Sequence, residues 1–175
     1  MVISWRKFTL SAGASRLLVL FLIVATLISA CATTPNFNLG NVDQTIQHRD
    51  VVQDLDKFMA KNVLWGGVII NSANVKEGAE LEILVYPLDT HLKPKLESST
   101  LGRIIALHKG YLETRDYAPG RLLTLVGTIK NITKRPIDKA EYTYPVVEIV
   151  QSHLWPEKGK EVDTQVHFGI GVMVH

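Results

Sequence analysis

The hydrophobic pattern of the chain changes character twice along its length. Residues 17–30 (LLVLFLIVATLISA) are apolar almost without a break. From residue 41 to residue 61 the apolar positions thin out, and Val51, Leu55, Phe58 and Met59 fall on one helical face. Asn41 or Asp43 can cap the start, so this stretch predicts one or two short helices. From Asn62 the period becomes that of strands. Asn62 to Ile70 is apolar on both faces. Glu80 to Tyr86 alternates, with Leu81, Ile83 and Val85 on one side and Glu80 and Glu82 on the other, as in a half-buried strand. Further strands are predicted over Gly102 to His108, Arg121 to Lys130, Tyr144 to Leu154 and Thr164 to Val174. Asn71 to Gly78 reads as a turn, His91 to Thr100 as a polar loop, and Asn131 to Tyr142 as a charged, irregular segment.

Short strands with regular turns and internal glycines predict a mainly β fold: a small antiparallel Greek-key barrel, OB-like, of five to six strands. Its domain would run from residue 62 to residue 175, behind the helical segment 41–61. Gly66 and Gly67 interrupt the first strand. They predict a bulge or sharp bend, with a positive φ, that lets this strand serve two parts of the barrel.

The apolar run bears on location. Arg6, Lys7 and Arg16 precede or open it, and no acidic residue occurs in the first thirty, which is the layout of a secretory signal. At about fourteen residues it falls short of the roughly 20 that span a bilayer. It ends in Ile28-Ser29-Ala30-Cys31, which resembles a bacterial lipobox. That resemblance implies that Ile28, Ser29 and Ala30 are read by the signal peptidase and that residues 1–30 are cleaved off. It further implies that Cys31 carries S-diacylglycerol and an N-palmitoyl group. Thiolate chemistry makes cysteine the residue for such alkylation. The lipid would hold the protein to a membrane, with residues 31–40 as tether and the lipoprotein maturation and sorting machinery as partners. Ala32 follows the cysteine; an Asp there causes inner-membrane retention in enteric lipoproteins, so its absence permits export to the outer membrane.

Composition narrows the remainder. Cys31 is the only cysteine of 175 residues, so the mature domain has no internal disulfide. Three of nineteen basic residues lie in the signal, leaving sixteen against seventeen acidic ones. A near-neutral domain lacks the basic patch that nucleic acid demands. The histidines, His48, His91, His108, His153, His167 and His175, form no ligand-spaced pair, and neither metal nor cofactor is expected. No nucleophile elbow occurs, and Gly169-Ile170-Gly171 opens no phosphate-binding helix. Asp54 with Asp56, and Glu80 with Glu82, are carboxylate pairs of the ordinary exposed kind. The expectation is therefore a protein that is not an enzyme. Tyr111, Tyr117, Tyr142, Tyr144 and Trp155 are the aromatics that could line a binding face, although aromatics more often pack a small core.

Six blocks in order carry a family resemblance: WGGVI (Trp65 to Ile69), EILVYPLD (Glu82 to Asp89), GRIIAL (Gly102 to Leu107), GYL (Gly110 to Leu112), DYAPGRLLTLVG (Asp116 to Gly127) and YTYPVVEI (Tyr142 to Ile149). Together they resemble the Slp family of starvation-inducible outer-membrane lipoproteins of Gram-negative bacteria. The resemblance covers roughly Cys31 to Trp155. It implies a structural or envelope-stress lipoprotein of the outer membrane, on its periplasmic face, and carries over no catalytic or ligand residue. The alternative is a periplasmic module that binds a glycan or small amphiphile across an exposed barrel face.

Overall fold

The computed structural model describes residues 34–157. The signal, Ile28 to Cys31 and the strand expected over Thr164 to Val174 lie outside the described residues. Two short helices, α1 (His48–Gln53) and α2 (Leu55–Phe58), lead into five strands. These are β1 (Asn62–Val75), β2 (Gly78–Tyr86), β3 (Gly102–Lys109), β4 (Leu122–Ile137) and β5 (Ala140–Leu154). They close a barrel in the order β1-β2-β3-β5-β4, with β4 returning to β1.

The mainly β fold is as expected, with one correction to its antiparallel character. β3 and β5 run parallel, over Ile105↔Val146 to Leu107↔Glu148. Slotting β5 between β3 and its own hairpin partner β4 forces this direction. Alternation decides what faces inward: Leu81, Ile83 and Val85 are fully buried, and Leu123, Leu125, Ile129 and Val147 meet them from β4 and β5.

β1 is the shared strand. It pairs with β4 through Asn62 to Val68 and with β2 through Gly66 to Val75, so Gly66, Gly67 and Val68 are paired on both edges. The expected bulge falls between Ile69 and Asn71, not at the glycines. Nor do the glycines hold a positive φ; that conformation occurs at Gly78, Gly102, Gly110 and Gly120. Their reason is close approach. A Cβ on Gly67 would stand 1.9 Å from the carbonyl oxygen of Leu84, and one on Gly66 2.9 Å from that of Leu123 and from Leu88 Cδ2.

Two segments expected to be irregular are strand. β1 runs through Asn71 to Val75, and the turn shrinks to Lys76-Glu77. Asn131 to Tyr142 is the far half of the β4–β5 hairpin, turning at Asp138-Lys139, where Asp138 takes φ 52°. An Asp tolerates the left-handed conformation better than most residues.

The helical segment plugs one barrel end. Ile46 and Val51 are buried in the core, with Leu55 and Phe58 packed against it, whereas Met59 is 48% exposed and does not share that face. Neither Asn41 nor Asp43 caps a helix. Asp50 Oδ2 accepts from Gln47 N–H (2.9 Å), Asp54 Oδ1 accepts from Lys57 N–H (3.3 Å), and Asp43 holds a turn at Thr45. At the opposite end the β3–β4 connection contributes buried Leu112, fixed by its two backbone bonds with the Asn74 amide (2.9 Å each).

Candidate functional site

Two outer faces of the barrel are covered by the chain itself. The β2–β3 loop (residues 87–101) is knotted by Asp89, whose Oδ1 accepts from the N–H groups of His91 (2.8 Å) and Lys93 (2.9 Å). Those bonds hold the Asp89 carboxyl below its usual range against a burial effect that pulls the other way. The loop reaches over Thr124 on β4. Trp155 Nε1–H donates to Thr124 Oγ1 (3.0 Å), whose hydroxyl donates to Leu92 O (2.7 Å). Lys93 Nζ lies 5.3 Å from the centre of the Trp155 ring.

The second covered face belongs to β2, β3 and β5. Glu80 and Glu82 project from β2, Arg103 and Ile105 from β3, and Tyr142, Tyr144 and Val146 from β5. Ile105, Tyr144 and Val146 form a small apolar cluster of their own, joined by Leu107 and by Ile137 of β4. The far half of the β4–β5 hairpin bends over it as an arm, and Arg135 makes a bidentate pair with Glu80 (2.5 and 2.8 Å). Glu82 Oε1 accepts from Arg103 Nη1 (2.7 Å) and from the Tyr144 hydroxyl (3.0 Å). Glu82 and Glu80 thereby raise the pKa of Arg103 and Arg135 respectively, and burial, with the Glu82 bond second, raises that of Tyr144. The expected carboxylate pair does share this face, but each member is spent on an arginine. The chemistry available here is cohesion of the arm.

His48 closes one edge of that face. It is 7% exposed, stacks on Tyr142 at 6.3 Å between ring centres, and sits where Gly102 leaves no room for a Cβ. Neither ring nitrogen has a hydrogen-bond partner. Burial lowers its pKa below the ordinary 6.5, against an opposing pull from the Arg103 backbone, which lies outside hydrogen-bond geometry. The sign follows. Below about pH 6.5 the unfolded chain takes up a proton that the folded chain resists, so stability falls as pH drops toward the folded pKa. Urea unfolding at pH 7.5 and pH 5.5 should show a larger loss for the natural chain than for His48→Phe. Equal losses would mean that His48 does not carry the dependence.

The other residues singled out in the sequence do not converge. Tyr111 is 75% exposed at the far barrel end, Tyr117 packs on the core, and Trp155 is buried edge-on against His153 at 4.6 Å. Only Tyr142 and Tyr144 meet, edge to face at 4.9 Å. His91 is exposed in the β2–β3 loop, and His108 is the penultimate residue of β3. Among the described residues no group of three His, Cys, Asp or Glu could hold a metal ion. A cleft of about 380 Å³ opens between residues 44–47 and the β2–β3 loop, floored by Trp65, Tyr86, Leu88 and Leu92. Sequence reasoning missed Arg135 and Arg103, and gave His48 no role, because their partners are remote along the chain; charge on an otherwise apolar strand was a signal for Arg103 alone.

Comparison with known proteins gives a consistent picture. A profile of the outer membrane lipoprotein Slp family matches residues 28–171. Outer membrane protein Slp of Escherichia coli is 30% identical over 138 residues, 78% of this chain and 73% of that protein. The uncharacterized lipoprotein YeaY of the same organism is 27% identical over 134 residues, 75% of this chain and 68% of that protein. Among solved structures, Schizosaccharomyces pombe Pot1pC bound to single-stranded DNA is 12% identical, over 72% of this chain and 91% of that chain. Its TM-score of 0.28 carries no argument about fold or ligand.

Proposed function

Because this chain belongs to the outer membrane lipoprotein Slp family, we propose that it is anchored in the outer membrane by lipid on Cys31 and acts through contacts of its barrel. The observation that carries this reading is the extent of the family match, which opens at Ile28 and runs across the whole barrel. In this reading the cysteine sulfur takes the diacylglycerol, the peptidase cuts between Ala30 and Cys31, and the freed amino group is palmitoylated. The barrel then stands on the periplasmic face, where a structural role in the stressed or stationary-phase envelope would be exercised on protein or lipid neighbours. A glycan- or amphiphile-binding module is the weaker reading, because the β2–β3–β5 face it would use is covered by the arm and its ion pairs.

Metabolic labelling with a fatty acid, followed by membrane fractionation, tests the anchor. The natural chain should take up label and sediment with outer membranes; Cys31→Ala should lose both the label and the outer-membrane association, as a soluble domain or an uncleaved precursor. A natural chain that stays unlabelled would sink the reading.

A further inference from the structure

We infer that the barrel end formed by the β1–β2 turn and the β3–β4 connection rests on the phospholipid surface; this depends on Cys31 carrying the lipid.

The described part of the tether, residues 34–40, is laid along the barrel. Cys31 precedes residue 34 by three positions, a reach of about 11 Å at most. Along residues 34–39 exposure alternates, with Pro35, Phe37 and Leu39 half-buried. Asn38 N–H donates to the Gln151 side chain (2.9 Å), and Val42 bridges Asn62. Asn62 pairs with Thr128, whereas Gln151 pairs with Val126. Traced backward from Val42, the chain therefore leaves the helix-plugged end and heads toward the other. A barrel held this closely cannot stand clear of the membrane.

The two ends differ in what they offer to lipid. At the plugged end Ile46, Val51, Leu55 and Phe58 are already turned into the core, so an amphipathic surface helix there has no free apolar face. At the opposite end Tyr111 and Val75, 75% and 50% exposed, line one shallow hollow between the β1–β2 turn and the start of the β3–β4 connection. Neither side chain serves the core. A tyrosine ring with its polar tip suits the headgroup boundary, as does a small apolar turn beside it. Around them Lys76, Lys109 and Arg115 are matched by Glu77, Glu113 and Asp116, all exposed. This balance fits zwitterionic headgroups.

The test uses the mature lipoprotein, beginning at Cys31, reconstituted into phosphatidylcholine vesicles whose acyl chains carry bromine, a contact quencher of indole. Tyr111→Trp and Val75→Trp are compared with Met59→Trp at the plugged end, and the natural chain supplies the background from buried Trp65 and Trp155. Quenching of the added tryptophan should be at least about twofold stronger at 111 and 75 than at 59, as expected for side chains seated in the acyl boundary. Equal quenching at all three sites, or stronger quenching at 59, overturns the orientation while the anchor stands. Failure of the natural chain to float with the vesicles overturns the anchor and the orientation with it.

Discussion

Gly67→Ala should destabilise the barrel by about 3 kcal/mol or more, above the usual range for a single overpacking substitution. One methyl group is enough because of what it meets. The added carbon would lie 1.9 Å from Leu84 O and 2.7 Å from Leu84 C, both backbone atoms of the paired strand. A side chain could rotate aside; a strand can yield only by breaking its ladder. The contact falls where β1 is hydrogen-bonded on both edges, so a shift toward β4 meets Leu123 across the other ladder. Gly110→Ala is the matching control. It faces open space at φ 85°, so only backbone strain of about 1 kcal/mol is expected. Urea unfolding of the chain lacking its first 31 residues measures both. A Gly67→Ala loss no larger than that of Gly110→Ala would show that the strands can separate there at little cost.

Trp65→Ala should lose about 3–5 kcal/mol, the range for truncating a buried aromatic. Trp65 sits on β1 two residues before Gly67, is 5% exposed, and donates from Nε1 to Ile46 O at 3.0 Å. It therefore fills the plugged end and also ties down the segment that plugs it. Trp65→Phe separates the two roles. Most of the packing is kept, Ile46 O is left without its donor, and about 1–2 kcal/mol should go. Limited proteolysis locates the damage: Trp65→Phe should expose residues 47–54 to cleavage before the barrel unfolds. If Trp65→Ala is within 1 kcal/mol of the natural chain, the helical segment is not held by this residue.

The barrel was readable where burial writes a period into the sequence. Glu80 to Tyr86 alternates because one face is core and one is not, and the strand lies there with one short extension to Gly78. The apolar run around Trp65 announced a strand buried on both sides. Asn71 to Val75 and Asn131 to Tyr142 were not readable as strands. Both are hairpin extensions whose backbone is held by ladder hydrogen bonds, and their apolar members, Ile132, Ile137 and Tyr142 in the second, are too scattered to write a strand period. The arm over Glu80 and Glu82 was hidden for a related reason. Arg135 lies 55 positions from Glu80, and no local pattern encodes such a partnership. The glycine pair was recognisable as a place of special backbone, but its cause, the carbonyls of Leu84 on β2 and Leu123 on β4, is a property of the paired strands. The lipidation signal proposed at Ile28 to Cys31 is legible for the opposite reason: a peptidase and an acyltransferase would read contiguous residues rather than a surface.

The order in which the ring closes also has a temporal meaning. β5 sits between β3 and β4, so neither seam of the barrel is complete until residues 140–154 are available. A chain delivered from its N-terminus, whether by the ribosome or through an export channel, presents β1 to β4 with two unpaired borders while β5 is still in transit. Pairings of such large sequence separation are slow to form, typically on a scale of milliseconds to seconds, and open strand borders invite association with other chains in the interval. An escort that shields the incomplete sheet during delivery would thus matter most before the fifteen-residue β5 emerges, and least once it has docked.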